Sequence, residues 1–226
     1  MEKRKREPGG FRGKSLWGNR SSRFLLLVGW TGYFLMYTLT ERLIPAEVCH
    51  PVHMWLDDLI VFQAWFVIPY VLWYGLIVFS LGFFWNRSED SFRRLQIYFI
   101  ITQVLATACY ILYPTRQDLR PQGFEDPDFL TRCVAFLYRV DTNTGVCPSL
   151  HVACSLGMAS VWTKERGIRW YWKTVLVCLV ILICLSTMFI KQHSAVDVIA
   201  AIPVCLIAEA IVYRDRYFGR KDGHGN

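Results

Sequence analysis

The chain has 226 residues, 54% of them hydrophobic and 19% charged, with a formal net charge of +7 at pH 7. Its apolar residues are gathered into long runs rather than spread in a globular pattern, which excludes an ordinary soluble domain and marks a polytopic membrane protein. The positive balance needs no nucleic-acid partner, because in such a chain it is a topology signal together with attraction to anionic lipid head groups.

A basic tail, residues 1–23, opens the chain. Six apolar segments follow, over residues 24–44, 59–85, 95–113, 148–163, 171–190 and 196–213, and a second basic tail covers 214–226. A span needs about 20 helical residues at 1.5 Å each, so the fourth and shortest segment is expected to tilt little or to start below the membrane surface. The expected fold is all-α, a single bundle of six transmembrane helices over residues 24–213. The first run is too long for the apolar part of a signal peptide and lacks a small-residue cleavage site, so it is expected to stay as the first helix. Trp17, Trp30, Trp55, Trp73, Trp85, Trp170 and Trp172 include several near the predicted helix ends, as an interfacial aromatic belt requires.

Nineteen of the 25 Lys and Arg residues lie in the two tails and around the turns that follow the second and fourth segments. The opposite loops hold Arg42, Arg116, Arg120, Arg132, Arg139 and Lys191. The positive-inside rule then predicts an integral protein of the cytoplasmic membrane with both termini in the cytoplasm. The outer loop 114–147 is long for a helix connection, and such loops are usually functional or disordered. Phe124, Phe129, Val134, Phe136, Leu137 and Tyr138 argue against disorder, and the loop is expected to fold back as a short amphipathic element. Five of the eight cysteines fall inside spans as small apolar residues; Cys49, Cys133 and Cys147 are outside, and a Cys133–Cys147 disulfide is left open. Cys49, His50 and His53 lack the four well-spaced ligands of a structural metal site and read better as a polar interfacial loop.

Chemistry concentrates at two helix ends on the outer side. Pro148 suits the first position of a helix, where its missing N–H costs nothing, and the N–H groups that follow form a ready phosphate site, with Ser149 as an added donor and His151 close by. Taken alone, that stretch equally describes an ordinary helix start. His193 and Asp197 are four apart, so on a shared helix they occupy one face, where the carboxylate accepts from Nδ1–H and leaves Nε2 nucleophilic. The bland alternative is a pair that only satisfies buried polarity, but ionisable groups within spans are costly enough to favour function.

With Tyr113-Pro114-Thr115 and Arg120-Pro121, the runs Pro148-Ser149-Leu150-His151 and Ser186-Thr187 to His193 and Asp197 resemble the three-part signature of the type 2 phosphatidic acid phosphatase superfamily, in the variant of its inositolphosphotransferase-like branch. The resemblance spans residues 113–197. It implies that His193 attacks phosphorus to form a phosphohistidine, that His151 protonates the leaving oxygen, and that Asp197 orients His193. Ser149 and Arg120 would hold the phosphate, with no metal and no cofactor. Two family cations are missing, at Tyr113 and Thr187, and Arg116 and Lys191 are expected to replace them, Lys191 standing one helical turn beyond Thr187 on the same face. Glu41, Arg42, Asp57 and Asp58 read as helix caps. The leading expectation is a lipid phosphatase acting on a terminal phosphate. A head-group phosphotransferase that uses the same residues is the close alternative, and a non-enzymatic transporter or scaffold with degenerate motifs is the third. The partners expected are a lipid phosphate and the surrounding membrane lipids; the oligomeric state is open.

Overall fold

The computed structural model describes residues 20–218. The tails outside that range, and the side chains of Glu41 and Arg42, lie outside the described residues. In chain order the helices are α1 (Arg20–Leu43), α2 (Trp55–Leu59), α3 (Val67–Arg87), α4 (Glu89–Leu112), α5 (Phe129–Val140), α6 (Leu150–Lys164), α7 (Trp170–Phe189), α8 (Ala195–Val212) and α9 (Arg214–Phe218). The two-residue strands β1 (His50–Pro51) and β2 (Thr115–Arg116) pair in parallel.

Among the described residues four helices are long and apolar enough to cross a membrane, by length and composition: Ala64–Arg87, Glu89–Leu112, Trp170–Phe189 and Ala195–Val212. The remaining two predicted spans behave differently. The apolar stretch of α1, Leu25–Thr40, is shorter. Helix α6 has 15 residues, about 22 Å at the α-helical rise, less than the hydrocarbon thickness. It compensates by burial: α3, α4, α7 and α8 all pack on it, and its residues from Leu150 to Met158 are buried save Leu156. Close approach to α4 depends on Gly157, where an added Cβ would stand 2.4 Å from the Tyr98 ring.

The main core cluster joins α3, α4, α6 and α7 through Leu76, Phe84, Phe92, Phe99, Met158 and Ile183. At one end of the bundle, charged residues tie the helices together. Arg94 Nη1 donates to the Val212 carbonyl at 2.8 Å, Lys164 pairs with Glu209 at 2.7 Å, and Ser91 donates to Glu165. At the other end, Gln63 N donates to the Phe189 carbonyl and Ser149 N to the Asp197 carbonyl, both at 3.0 Å. There the amino ends of α3, α6 and α8 meet the carboxyl end of α7.

Three boundaries differ from the sequence reading. The second span starts at Ala64, not at residue 59, because the chain before it breaks at the end of α2; a 3₁₀ turn, Ala64–Phe66, held by the Gln63–Phe189 bond, leads into α3. The third helix begins at Glu89, not residue 95. Ser88 caps it by accepting from Ser91 N, and Glu89 and Asp90 favour its positive end. Arg93 and Arg94 are therefore helical, and Arg94 pairs with Asp90 at 2.7 Å. Helix α6 starts after Pro148, not at it: Ser149 is the cap, accepting from Val152 N at 3.4 Å. The loop 114–147 does fold back, as α5, capped by Asp128, which accepts from Thr131 N at 2.8 Å. Cys133 and Cys147 are both free thiols.

Candidate active site

The end of α7 sets the geometry of the site. Ile190 closes the helix, Lys191 takes a left-handed conformation at φ 55°, and the chain reverses. Gln192 N donates to the Thr187 carbonyl at 2.9 Å and Lys191 N to the Met188 carbonyl at 3.0 Å, the pair of bonds that defines a Schellman closure. His193 N reaches the same Thr187 carbonyl at 2.9 Å. Ser194 then caps α8, its Oγ accepting from Val196 N at 3.2 Å and its N–H donating to Asp197 Oδ2 at 2.9 Å. His193 thus precedes α8 rather than lying on it. Its ring folds back so that Nδ1 faces Asp197 Oδ2 at 3.2 Å, a carboxylate with no solvent exposure. With Nδ1 protonated toward that carboxylate, Nε2 carries the lone pair.

His151, in the first turn of α6, stands opposite, with its ring centroid 5.7 Å from that of His193. Tyr70 stacks on it at 4.4 Å and Trp73 lies against it at 4.1 Å. Its Nε2 is buried and has no partner among the described residues, as has Asp197 Oδ1. Burial, then the Asp197 carboxylate, push the nearby Cys147 thiol up to about 12. A cavity of about 570 Å³ opens on both histidines. It runs down between α1 and α3 past Trp30, Phe34, Tyr74 and Ile77 to Leu27 and Leu81. From Trp73 to Leu81 is eight residues of α3, or about 12 Å along its axis.

The other predicted site residues are distributed unevenly. Ser149 is fully buried and serves as the α6 cap, accepting rather than donating in that bond. Arg120 stands behind the site. Its Nη1 donates to the Tyr138 carbonyl at 3.1 Å, and its Nη2 approaches the Asp141 and Thr142 carbonyls and Gln192 Oε1, each at 2.8 Å. Burial lowers its pKa. Arg116 points outward to Asp118 at 3.1 Å and to the Ala46 carbonyl at 2.8 Å. Lys191 does not share the face of Thr187, because the left-handed turn ends the helix first, and its Nζ donates to the Asp57 carbonyl at 2.8 Å. Burial lowers the Lys191 pKa. Neither Arg116, Arg120 nor Lys191 lines the cavity. A non-glycine residue in the left-handed region costs about 1 kcal/mol, comparable with one hydrogen bond. Lys191→Gly should therefore leave thermal stability nearly unchanged and keep turnover within a few-fold. A loss of roughly 10²-fold in kcat at unchanged stability would restore the lysine as a phosphate contact.

Sequence reasoning missed four participants. Asp57 was read as a cap, and it does cap α2, but its carboxylate also holds the start of α8: it accepts from Met54 N at 2.9 Å, from Ser194 Oγ at 2.5 Å and from Ala195 N at 2.8 Å. The α8 amino end is thereby filled by carboxylates. Tyr70 looked like an ordinary residue of a span and Trp73 like one of the interfacial aromatic residues; their i, i+3 spacing was the available signal. Asp141 carried no signal; it is one of the residues lining the cavity, and its carboxylate accepts from Tyr70 OH at 2.7 Å and Tyr37 OH at 3.2 Å. Cys49, His50 and His53 diverge: Cys49 Sγ faces the Pro45 carbonyl, His50 stacks on Tyr113, and His53 pairs with Asp58. Among the described residues no group of three His, Cys, Asp or Glu side chains is placed to share a metal ion. No family model, curated protein or solved structure matches the chain.

Proposed function

We propose that this protein is an integral membrane enzyme that transfers phosphoryl groups of lipids through a phosphohistidine at His193. One observation carries the reading: His193 is held on Asp197 at 3.2 Å, faces His151 across a gap, and both rings open into a cavity that continues between apolar helices. An apolar slot ending at two histidines suits an amphiphile whose chain lies in the slot and whose phosphorus sits at its end. Nε2 of His193 attacks phosphorus, the P–O bond to the leaving group breaks, and a proton on His151 passes to the departing oxygen. His151 then takes the proton of the acceptor as that oxygen attacks phosphorus and releases His193. The α6 amino end contributes positive partial charge beside the phosphoryl oxygens.

With water as acceptor the enzyme is a lipid phosphatase; with an alcohol it is a head-group phosphotransferase. The second reading gains support from the cavity wall, where none of the described residues is a cation placed to meet a terminal phosphate dianion. Convergence of two histidines and a fully buried carboxylate tells against a transporter or scaffold with relic motifs. In the membrane, α1 and α6 complete a six-helix layout with the four long spans, α6 shielded by its neighbours. The histidine end faces the extracytoplasmic side of the cytoplasmic membrane and both termini the cytoplasm, a placement supported by the cluster of Arg87, Arg94, Lys164 and Lys173 at the opposite end.

The test is chemical trapping. Purified protein incubated with lipids radiolabelled at phosphorus and quenched in base should carry label that is stable to alkali and lost in acid. Product release without any labelled protein intermediate under single-turnover conditions overturns the phosphohistidine.

A further inference from the structure

At the end of the bundle opposite the histidines lies a second cavity, of about 300 Å³, between the amino end of α4, the carboxyl end of α6 and the turn that follows α8. Among the described residues four cations line it, Arg94, Lys164, Arg166 and Arg216, against two carboxylates, Asp90 and Glu165. Both carboxylates are engaged. Asp90 pairs with Arg94 at 2.7 Å, and Glu165 accepts from the Ser91 hydroxyl and stands 3.8 Å from Arg87. Lys164 is matched at 2.7 Å by Glu209, which is outside the lining. Arg166 and Arg216 differ: both are exposed, and neither side chain makes a hydrogen bond or an ion pair among the described residues. We infer that this cavity binds the phosphate group of an anionic phospholipid, held by Arg166 and Arg216, and that the bound lipid fastens α4, α6 and α8 to one another. The inference rests on the membrane reading alone and is independent of the chemistry at His193.

The matched pairs form a frame around the two free arginines. The Tyr213 ring is buried in the wall, with the Arg94 guanidinium 4.9 Å and the Lys164 ammonium 4.5 Å from its centroid. These contacts fix two charges in place, so an arriving anion meets a positive surface that is already ordered and two arginines with no bond to give up. A guanidinium presents parallel N–H donors that match the oxygens of a phosphate. The Ser88 hydroxyl accepts from Ser91 N at 3.3 Å and keeps its own proton as a further donor. Free phosphate would satisfy the same donors; depth selects the lipid. The spans Glu89–Leu112 and Ala195–Val212 end at the cavity, since Asp90 and Tyr213 of its lining adjoin Glu89 and Val212. A site bounded by the ends of spans lies at the level of the head-group phosphates. A basic residue close to an anionic lipid surface strengthens binding by roughly fivefold, which gives two arginines a substantial preference for a lipid of net negative charge.

Thermal unfolding tests the site without any measurement of turnover, so no outcome bears on His193. The purified full chain in uncharged detergent micelles would be heated with phosphatidylglycerol, phosphatidylcholine or inorganic phosphate, each alone. Phosphatidylglycerol should raise the unfolding temperature by roughly 3–6 °C at about ten times its half-saturating amount, and the other two should shift it little. Arg166→Gln combined with Arg216→Gln should raise the half-saturating amount of phosphatidylglycerol by about tenfold or more. Without lipid that variant should unfold close to the unaltered protein. Arg169→Gln combined with Arg214→Gln removes the same charge from the same end, outside the cavity lining, and should leave the lipid response intact. An equal shift from phosphatidylcholine, or an unchanged half-saturating amount in the first variant, overturns the inference. Equal weakening in both variants assigns the effect to diffuse attraction and overturns the cavity site. The full shift from inorganic phosphate alone overturns the lipid assignment. If the first variant does not fold, Arg166→Gln and Arg216→Gln taken singly, each expected to bind roughly fivefold more weakly, decide the matter.

Discussion

His193→Ala should abolish turnover and eliminate the phosphorylated intermediate, with a loss on the order of 10⁴-fold or more, the scale on which removal of a covalent nucleophile acts. The geometry makes the residue hard to replace. His193 is nearly buried, its Nδ1 is tied to Asp197, and its backbone N–H is tied to the Thr187 carbonyl, so one ring nitrogen alone is left to meet a substrate. His151 cannot take over, because its ring is boxed by Tyr70 and Trp73 and no carboxylate among the described residues hydrogen-bonds to it to fix its tautomer. Asp197→Asn should follow the same direction, since an amide does not favour the tautomer that leaves Nε2 free. Helical content and thermal unfolding should be nearly unchanged in His193→Ala, which separates loss of chemistry from loss of fold. Steady-state turnover in His193→Ala near that of the unaltered protein would exclude the nucleophilic role.

Asp57→Ala should produce the largest loss of stability among single changes near the site, about 3–5 kcal/mol, and a fall in kcat of roughly 10²-fold in whatever protein remains folded. The carboxylate accepts three hydrogen bonds and is 2% exposed, so its removal takes the acceptor away from the Ser194 hydroxyl proton, Ala195 N and Met54 N. Bonds to a charged acceptor are worth about 1.5–3 kcal/mol each, and their non-additivity brings the total into that range. Because Ser194 follows His193 directly, freedom at the α8 cap becomes freedom at the nucleophile. Asp57→Asn keeps one acceptor oxygen and should fall between the two. Thermal unfolding in detergent, read beside kcat, checks both halves. Unfolding at the temperature of the unaltered protein would show that the α8 start is held by its own capping box alone.

Much of the helical layout is determined by the sequence itself, because lipid leaves a spanning backbone no partner but its own and apolar runs of sufficient length become helices. The four long helices follow from that rule. So does the His193–Asp197 contact: four residues are about one turn, and the two side chains meet even though His193 lies just before the helix. What no local rule contains is the outcome at Lys191. Its spacing from Thr187 promised a shared face, but a helix end in a left-handed residue rotates everything beyond it, and here the turn closes onto Thr187 itself. The same holds for contacts between segments far apart in the chain. Asp57 and Ser194 are 137 positions apart, Tyr70 and Asp141 are 71 apart, and nothing in either neighbourhood announces the other. Tertiary packing alone decided that α6 could be short, because four helices cover it. Packing also sent Arg116 and Lys191 to the Ala46 and Asp57 backbone carbonyls, since a cation near low-dielectric surroundings takes the nearest fixed acceptor, and it placed Asp141 among the residues that line the cavity.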